Sequence, residues 1–169
     1  MRVLILLLLV ATSLTVKSQI YYIIRHAEKE QASSGVVMAT PGNPPLSKKG
    51  IARAQALKDL LMDKHIHYIF STNTIRTIAT VKPLGDAIGV RIETYSKADS
   101  AFIEKLKTLD QNTLIVGHSN TVDDIVNTLS KTENVRGDLP DTKYDNLYVV
   151  KINGSKISFQ ALKYGKASE

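Results

Sequence analysis

Ile20 to Ile24 is a run of β-branched and aromatic residues that ends abruptly on Arg25-His26. Such a run reads as a buried strand. Three more strand-like runs follow, at Ile66–Phe70, Val90–Thr94 and Leu114–Val116, each separated from the next by a helical pattern. Strands alternating with amphipathic helices bury both sheet faces by layering, which predicts a three-layer α/β/α sandwich with a mostly parallel central sheet. The end of the chain changes character. Leu147–Ile152 and Lys156–Leu162, separated by Asn153-Gly154, predict a hairpin and hence an antiparallel edge to that sheet.

The helical segments carry their own start and stop signals. Ser47 can cap a first helix running to about Lys64, with Ile51, Ala54, Leu57, Leu60 and Leu61 as its apolar stripe. A second begins near Thr74 and stops at Ile88-Gly89, with Pro83 expected to kink or divide it. A third spans Asp99 to Leu109 and a fourth Asn120 to Ser130. Between Glu28 and Leu46 lies a long Ser-, Gly- and Pro-containing segment, and a loop of that length usually shapes a site.

The first eighteen residues stand apart from the fold. Met1-Arg2 is a basic start, Val3 to Ala11 an apolar core, and Val16-Lys17-Ser18 puts small residues at the −3 and −1 positions of a cut before Gln19. That is the three-part pattern of a secretory signal peptide. The apolar run is about half the ~20 residues a membrane-spanning helix needs, so no stable membrane insertion is expected after cleavage. Residues 19–169 then form one domain, periplasmic or extracellular in location. The chain carries a formal charge of +6, and loss of Arg2 and Lys17 leaves +4. This mild excess suits an anionic substrate, but no basic run interleaved with aromatics points to nucleic acid. There is no cysteine, so neither disulfides nor thiolate chemistry can contribute.

Strand ends in α/β proteins are where ligands meet the chain, and three of them here carry cationic or imidazole groups. Arg25-His26 follows the first strand, Arg76 the second, and His118 the run Leu114 to Gly117. Neutral imidazole can attack phosphorus, and a guanidinium can hold two phosphate oxygens at once. Arg76 sits where a helix dipole disfavours positive charge, a position that an anion would explain. His118 could be a structural histidine or a cation that neutralises charge on a transferring phosphoryl group. Gly117-His118-Ser119-Asn120-Thr121 is also similar to a serine-hydrolase nucleophile elbow, but Thr121 replaces the last glycine and no histidine follows Ser119 to serve as base. His65 and His67 lack a third ligand at metal-binding spacing and read as ordinary strand-edge residues.

Taken together these segments resemble the histidine phosphatase (phosphoglycerate mutase-like) superfamily, in its small phosphatase branch. Arg25-His26-Ala27-Glu28 is similar to the opening Arg-His-Gly motif, with Ala27 in place of glycine. Leu46-Ser47-Lys48-Lys49-Gly50 is similar to the family's first helix start, Ser71 to Thr80 to the second-arginine segment, and Gly117-His118-Ser119-Asn120 to the second-histidine segment. The resemblance implies that His26 forms a phosphohistidine that water then hydrolyses. It implies that Arg25, Arg76 and His118, with Ser119 and Asn120 alongside, hold the phosphoryl group of a small phosphate ester or phosphoprotein. It implies no metal or cofactor, since three cationic groups take the place of magnesium. His118 would be partly protonated and His26 neutral, giving a bell-shaped profile on the acidic to neutral side. The leaving-group acid is expected at Asp99, with Glu93 next and Glu104 a poorer candidate; Asp99 can equally be the cap of the third helix, and Asp123 is a further candidate that reads more readily as structural. A phosphate-binding module without turnover is the alternative on the same fold. A phosphomutase is the third.

Overall fold

The structure is a computed structural model that describes residues 18–31, 40 and 42–168. All of the proposed signal segment but Ser18, and much of the long loop after Glu28, lie outside the described residues. The elements run β1 (Ser18–Arg25), α1 (Lys48–Leu61), β2 (Ile66–Thr72), α2 (Ile75–Ile88), β3 (Ile92–Tyr95), α3 (Ser100–Thr108), β4 (Asn112–Gly117), α4 (Ser119–Ser130), β5 (Asn146–Asn153) and β6 (Lys156–Lys163). They build one six-stranded sheet in the order β3-β2-β4-β1-β5-β6. β1 to β4 are mutually parallel, and the β5–β6 hairpin adds the antiparallel edge through β1.

Alternation along β1 shows why both faces need helices. Tyr21 and Ile23 pack with Phe70 and Ile115 against α3 and α4, through Phe102, Leu106, Val122 and Ile125. Tyr22 and Ile24 point the other way, packing with Ile69, Leu114 and Val116 against Leu57 and Leu61 of α1 and Val81 and Leu84 of α2. Each fully buried side chain of this kind contributes about 1.5–3 kcal/mol relative to exposure. These two clusters are the two interfaces of the three-layer sandwich.

Caps fall where the sequence places them. Ser47, Thr74 and Asp99 each accept a backbone N–H from the first turn of α1, α2 and α3, and Gly89 ends α2 in the left-handed conformation. Three expectations need correction. α2 is not divided at Pro83, because proline removes one hydrogen bond but the helix is anchored on both sides by Val81 and Leu84 in the core. β3 starts two residues later than expected. In α1 the buried face is rotated: Gly50, Arg53, Ala54, Leu57 and Leu61 are inside, while Ile51 is 61% and Leu60 41% exposed. An arginine displaced an isoleucine from the interior, and its reason lies in the site.

The chain also explains where ligands can bind. β1 leads outward through α1, β2, α2 and β3, and then returns through α3 to place β4 between β2 and β1. The strand order therefore reverses direction beside β1, and the crevice at such a switch point lies beyond the carboxyl ends of the strands.

Candidate active site

β1 and β4 pair in register up to Arg25 and Gly117. The next residues are His26 and His118, and the His26 N–H donates to the Gly117 carbonyl at 2.9 Å. The two imidazoles therefore stand side by side, with centroids 5.3 Å apart and planes at 66°. Gly117 is required by this junction, since a side-chain carbon there would strike the Thr121 hydroxyl and lie 2.7 Å from the Tyr95 hydroxyl. Thr121 needs that space because its hydroxyl accepts the His118 N–H at 2.9 Å where α4 begins.

The His26 ring is 3% exposed, and its Nδ1 lies 2.7 Å from the Ala27 carbonyl. A carbonyl only accepts, so Nδ1 carries the hydrogen and the lone pair is left on Nε2. Burial lowers the His26 pKa to about 3; the Ala27 carbonyl opposes this, while Arg25, Arg76 and His118 reinforce it. His26 is a neutral base held in one tautomer. Ala27 itself is fully buried against Leu46 and Ala54, and its N–H donates to Thr80 Oγ1 at 2.9 Å, so the methyl group that replaces glycine is accommodated.

His118 is held from two sides. Arg76 Nη2 lies 3.3 Å from Nδ1, and Thr72 Oγ1 lies 3.0 Å from Nε2. A guanidinium only donates, so Nδ1 accepts and Nε2–H donates to Thr72, whose hydroxyl passes its own hydrogen to Thr77 at 3.1 Å. Burial first, then the charges of Arg76, Arg25 and Lys29, lower the His118 pKa to about 4. Burial and the three facing cations favour the neutral form of this ring, against the expectation of a partly protonated His118.

Arg25 is buried. Its Nη1 donates to Pro140 O at 2.8 Å, its Nη2 to Asp141 at 2.9 Å, and the Tyr144 ring lies 4.5 Å from its guanidinium carbon. Tyr144 also lies 5.9 Å from the His26 ring. The Nε–H groups of Arg25 and Arg76 are both buried and meet no acceptor among the described residues. Unpaired buried donors are costly, and two of them beside a pair of imidazoles call for an anion. The four residues singled out at three strand ends thus come together around one point.

The remaining expectations fare differently. Asp99 serves as the cap of α3, its carboxylate accepting the Phe102 N–H at 3.0 Å from an exposed position. Glu93 pairs with Lys105 and Glu104 with Lys107 on the surface. Ser119 and Asn120 form the first turn of α4, where the Ser119 carbonyl holds the Leu139 N–H. His65 and His67 are exposed, and no cluster of metal-ligating groups stands among the described residues.

Sequence reading missed Thr72, Asp141, Tyr144 and the Glu28–Arg53 pair. Arg53 donates to both Glu28 oxygens at 2.9 and 2.7 Å, and to the carbonyls of Tyr164 and Lys166 at 2.8 Å each. Glu28 is two residues past His26, so this arginine ties the loop that carries His26 to the segment Tyr164–Lys166. Burial alone would raise the Glu28 carboxyl, but the Arg53 hydrogen bonds and charge hold it below the usual range. Gly50 lets α1 approach closely, since a side-chain carbon there would collide with the Glu28 carbonyl.

A family model described as the histidine phosphatase superfamily (branch 1) matches residues 21–98, which include Arg25, His26 and Arg76. Over that stretch the chain is similar to this superfamily, and β4 brings His118, which lies beyond it, to the same point. Solved structures share its fold. One is the protein histidine phosphatase SixA complexed with tungstate, at TM-score 0.65 and 16% identity, covering 85% of this chain and 96% of that one. Another is YhfR from Bacillus stearothermophilus, at TM-score 0.64 and 13% identity over 83% and 94% of the two chains. A third is a mycobacterial glucosyl-3-phosphoglycerate phosphatase, at TM-score 0.60 and 13% identity over 89% and 100%. No curated protein sequence matches this chain.

Proposed function

We propose that this protein is an exported, metal-independent phosphomonoesterase that works through a phosphohistidine on His26. The observation that carries the reading is the free Nε2 lone pair of a neutral His26, set beside two buried guanidinium Nε–H donors that lack an acceptor. A phosphoryl group supplies the acceptor. Nε2 forms a bond to phosphorus as the P–O ester bond breaks, and the departing oxygen takes a proton. Water then attacks phosphorus, the N–P bond breaks, and orthophosphate leaves with Nε2 restored. Arg25, Arg76 and His118 stabilise the charge that builds on the non-bridging oxygens.

The proton for the leaving group arrives with the substrate. A neutral His118 and a phosphate monoanion together hold the same proton count as a protonated His118 and a dianion. Once an anion sits between the arginines, the balance moves toward protonated His118. No dedicated carboxylate is needed, which fits Asp99 serving as a cap. A protein histidine phosphatase and a glucosyl-3-phosphoglycerate phosphatase share this fold, so either substrate size is compatible with it. That Asp99 caps α3 is also the one observation favouring the second reading, a module that binds phosphate without turning it over.

The test uses residues 19–169 with p-nitrophenyl phosphate in the presence of EDTA, beside His26→Ala. The expected result is EDTA-insensitive turnover that falls by at least about 10³-fold in the variant. Tight binding of phosphate without turnover in the parent selects the module instead.

A further inference from the structure

Tyr144 has no regular element to hold it. It lies in the irregular run between α4 and β5, two residues before Asn146 opens that strand. A cavity of 610 Å³ borders the half-buried side chain, so packing does not wedge it from that side. Yet the ring stands 4.5 Å from the Arg25 guanidinium carbon and 5.9 Å from the His26 ring. Its backbone must therefore be fixed from outside the site.

The segment Tyr164–Ser168 does this. The Tyr144 N–H donates to Ser168 Oγ at 2.9 Å. Asp145, the next residue, accepts the Tyr164 N–H on its carbonyl at 3.0 Å and the Ser168 N–H on its carboxylate at 3.2 Å. Arg53 holds the same segment through the Tyr164 and Lys166 carbonyls while it grips Glu28. The segment thus spans the site, from the loop that carries His26 to the ring that covers Arg25.

That cover has work to do at Arg25. The Asp141 side chain is 91% exposed, so water screens its ion pair with the guanidinium. The Pro140 carbonyl engages only Nη1. A guanidinium is weakly hydrated and stacks on aromatic faces, so the Tyr144 ring limits how its plane can turn. Turning would carry the unpaired Nε–H away from an incoming oxyanion.

We infer that Ser168 is a positioning residue, whose hydroxyl holds Tyr144 over Arg25 and thereby aims the guanidinium at the phosphoryl group. This role rests on phosphate occupying the arginine–histidine cluster, a premise that the phosphatase and the binding-module readings share. A Ser168 that only completes the fold beside buried Asp145 would set stability and leave phosphate affinity alone.

The test titrates inorganic phosphate at about pH 7, where the buried histidines are neutral, against the protein and its variants, with binding read by phosphorus NMR. Tyr144→Leu should weaken binding roughly tenfold, while Tyr144→Phe, which keeps the ring, should stay within about twofold. Ser168→Ala should weaken it about fivefold, the loss of one hydrogen bond, and Ser168→Thr should restore it. In Ser168→Ala/Tyr144→Leu the serine change should cost nothing further, because the ring it places is gone. Unchanged affinity in Ser168→Ala, or an equal loss with and without the Tyr144 ring, overturns the inference alone. Should Tyr144→Leu fail to fold, equal affinities of Ser168→Ala and Ser168→Thr overturn it. A parent that binds no phosphate overturns the reading of the site and the inference with it.

Discussion

At the scale of single residues, the site is tuned by what surrounds two imidazoles. Each is lowered far below the ordinary histidine value of about 6.5, His26 to about 3 and His118 to about 4. Their neutral forms are favoured on folding, so the stability they contribute is complete above about pH 6.5 and is lost as the pH falls toward their folded values. Thermal unfolding followed from pH 7 to pH 3 should show Tm declining through this window, and His26→Gln should flatten the decline. The same shift governs turnover. After correction for substrate ionisation, the acid limb of kcat/KM should lie below pH 5, where an unshifted histidine would place it near 6.5; a limb at 6.5 would refute a neutral, buried His26. Thr72 is the second residue to test. Thr72→Val removes the acceptor of the His118 Nε2–H and leaves a donor unpaired, at a cost of about 1–3 kcal/mol. The expected loss is roughly tenfold or more in kcat/KM, with little change in fold by circular dichroism. Arg25, His26, Arg76 and His118 were legible in the sequence because strand ends give them away. Thr72 and Tyr144 were not, since a hydroxyl at a strand terminus and a tyrosine in an irregular segment carry no periodic signal.

At the scale of elements, α1 is where sequence pattern and structure part. Its apolar positions predict a stripe that includes Ile51 and Leu60, yet the helix turns to bury Arg53. Hydrophobic periodicity cannot anticipate an ion pair whose partner, Glu28, comes from a distant loop. Burial of Arg53 is compensated by four hydrogen bonds, and removing one partner strands the other. Arg53→Met should therefore destabilise the protein by about 3–5 kcal/mol, measured by urea unfolding, and Arg53→Met/Glu28→Gln should recover part of that loss. A double variant no more stable than the single one would show that the pair is not coupled as drawn. Gly50→Ala attacks the same contact from the backbone side, since the added carbon meets the Glu28 carbonyl. It should lower Tm and, by shifting the loop two residues from His26, lower kcat more than KM. Helix boundaries, by contrast, were readable to within a few residues because Ser47, Thr74, Asp99 and Gly89 act as local caps that need no tertiary partner.

At the scale of the whole molecule, the alternation of strands and helices was enough to give the layered sheet and its antiparallel edge. It did not give the strand order, because which slot β4 enters depends on crossovers and not on local pattern. The long segment after Glu28, expected to shape the site, lies largely outside the described residues. Among the described residues no helix is long and apolar enough to cross a membrane. β1 begins at Ser18, paired with Asn153, so a cut before Gln19 would remove only the outermost residue of that strand. Expression of the full chain in a secreting bacterial host, followed by N-terminal sequencing of the exported protein, should return Gln19-Ile20-Tyr21. Recovery of Met1 in the membrane fraction would refute cleavage.

His26 and His118 are brought together by the parallel pairing of β1 and β4, whose ends are joined through the His26 N–H and the Gly117 carbonyl. That pairing closes a loop holding everything from α1 to α3, and long-range parallel pairing is slow to form. Competence should therefore arrive late and all at once during refolding, with no partly assembled form able to grip oxyanions. Inorganic phosphate would recognise only the finished chain, and so would act as a ligand that draws refolding molecules toward completion.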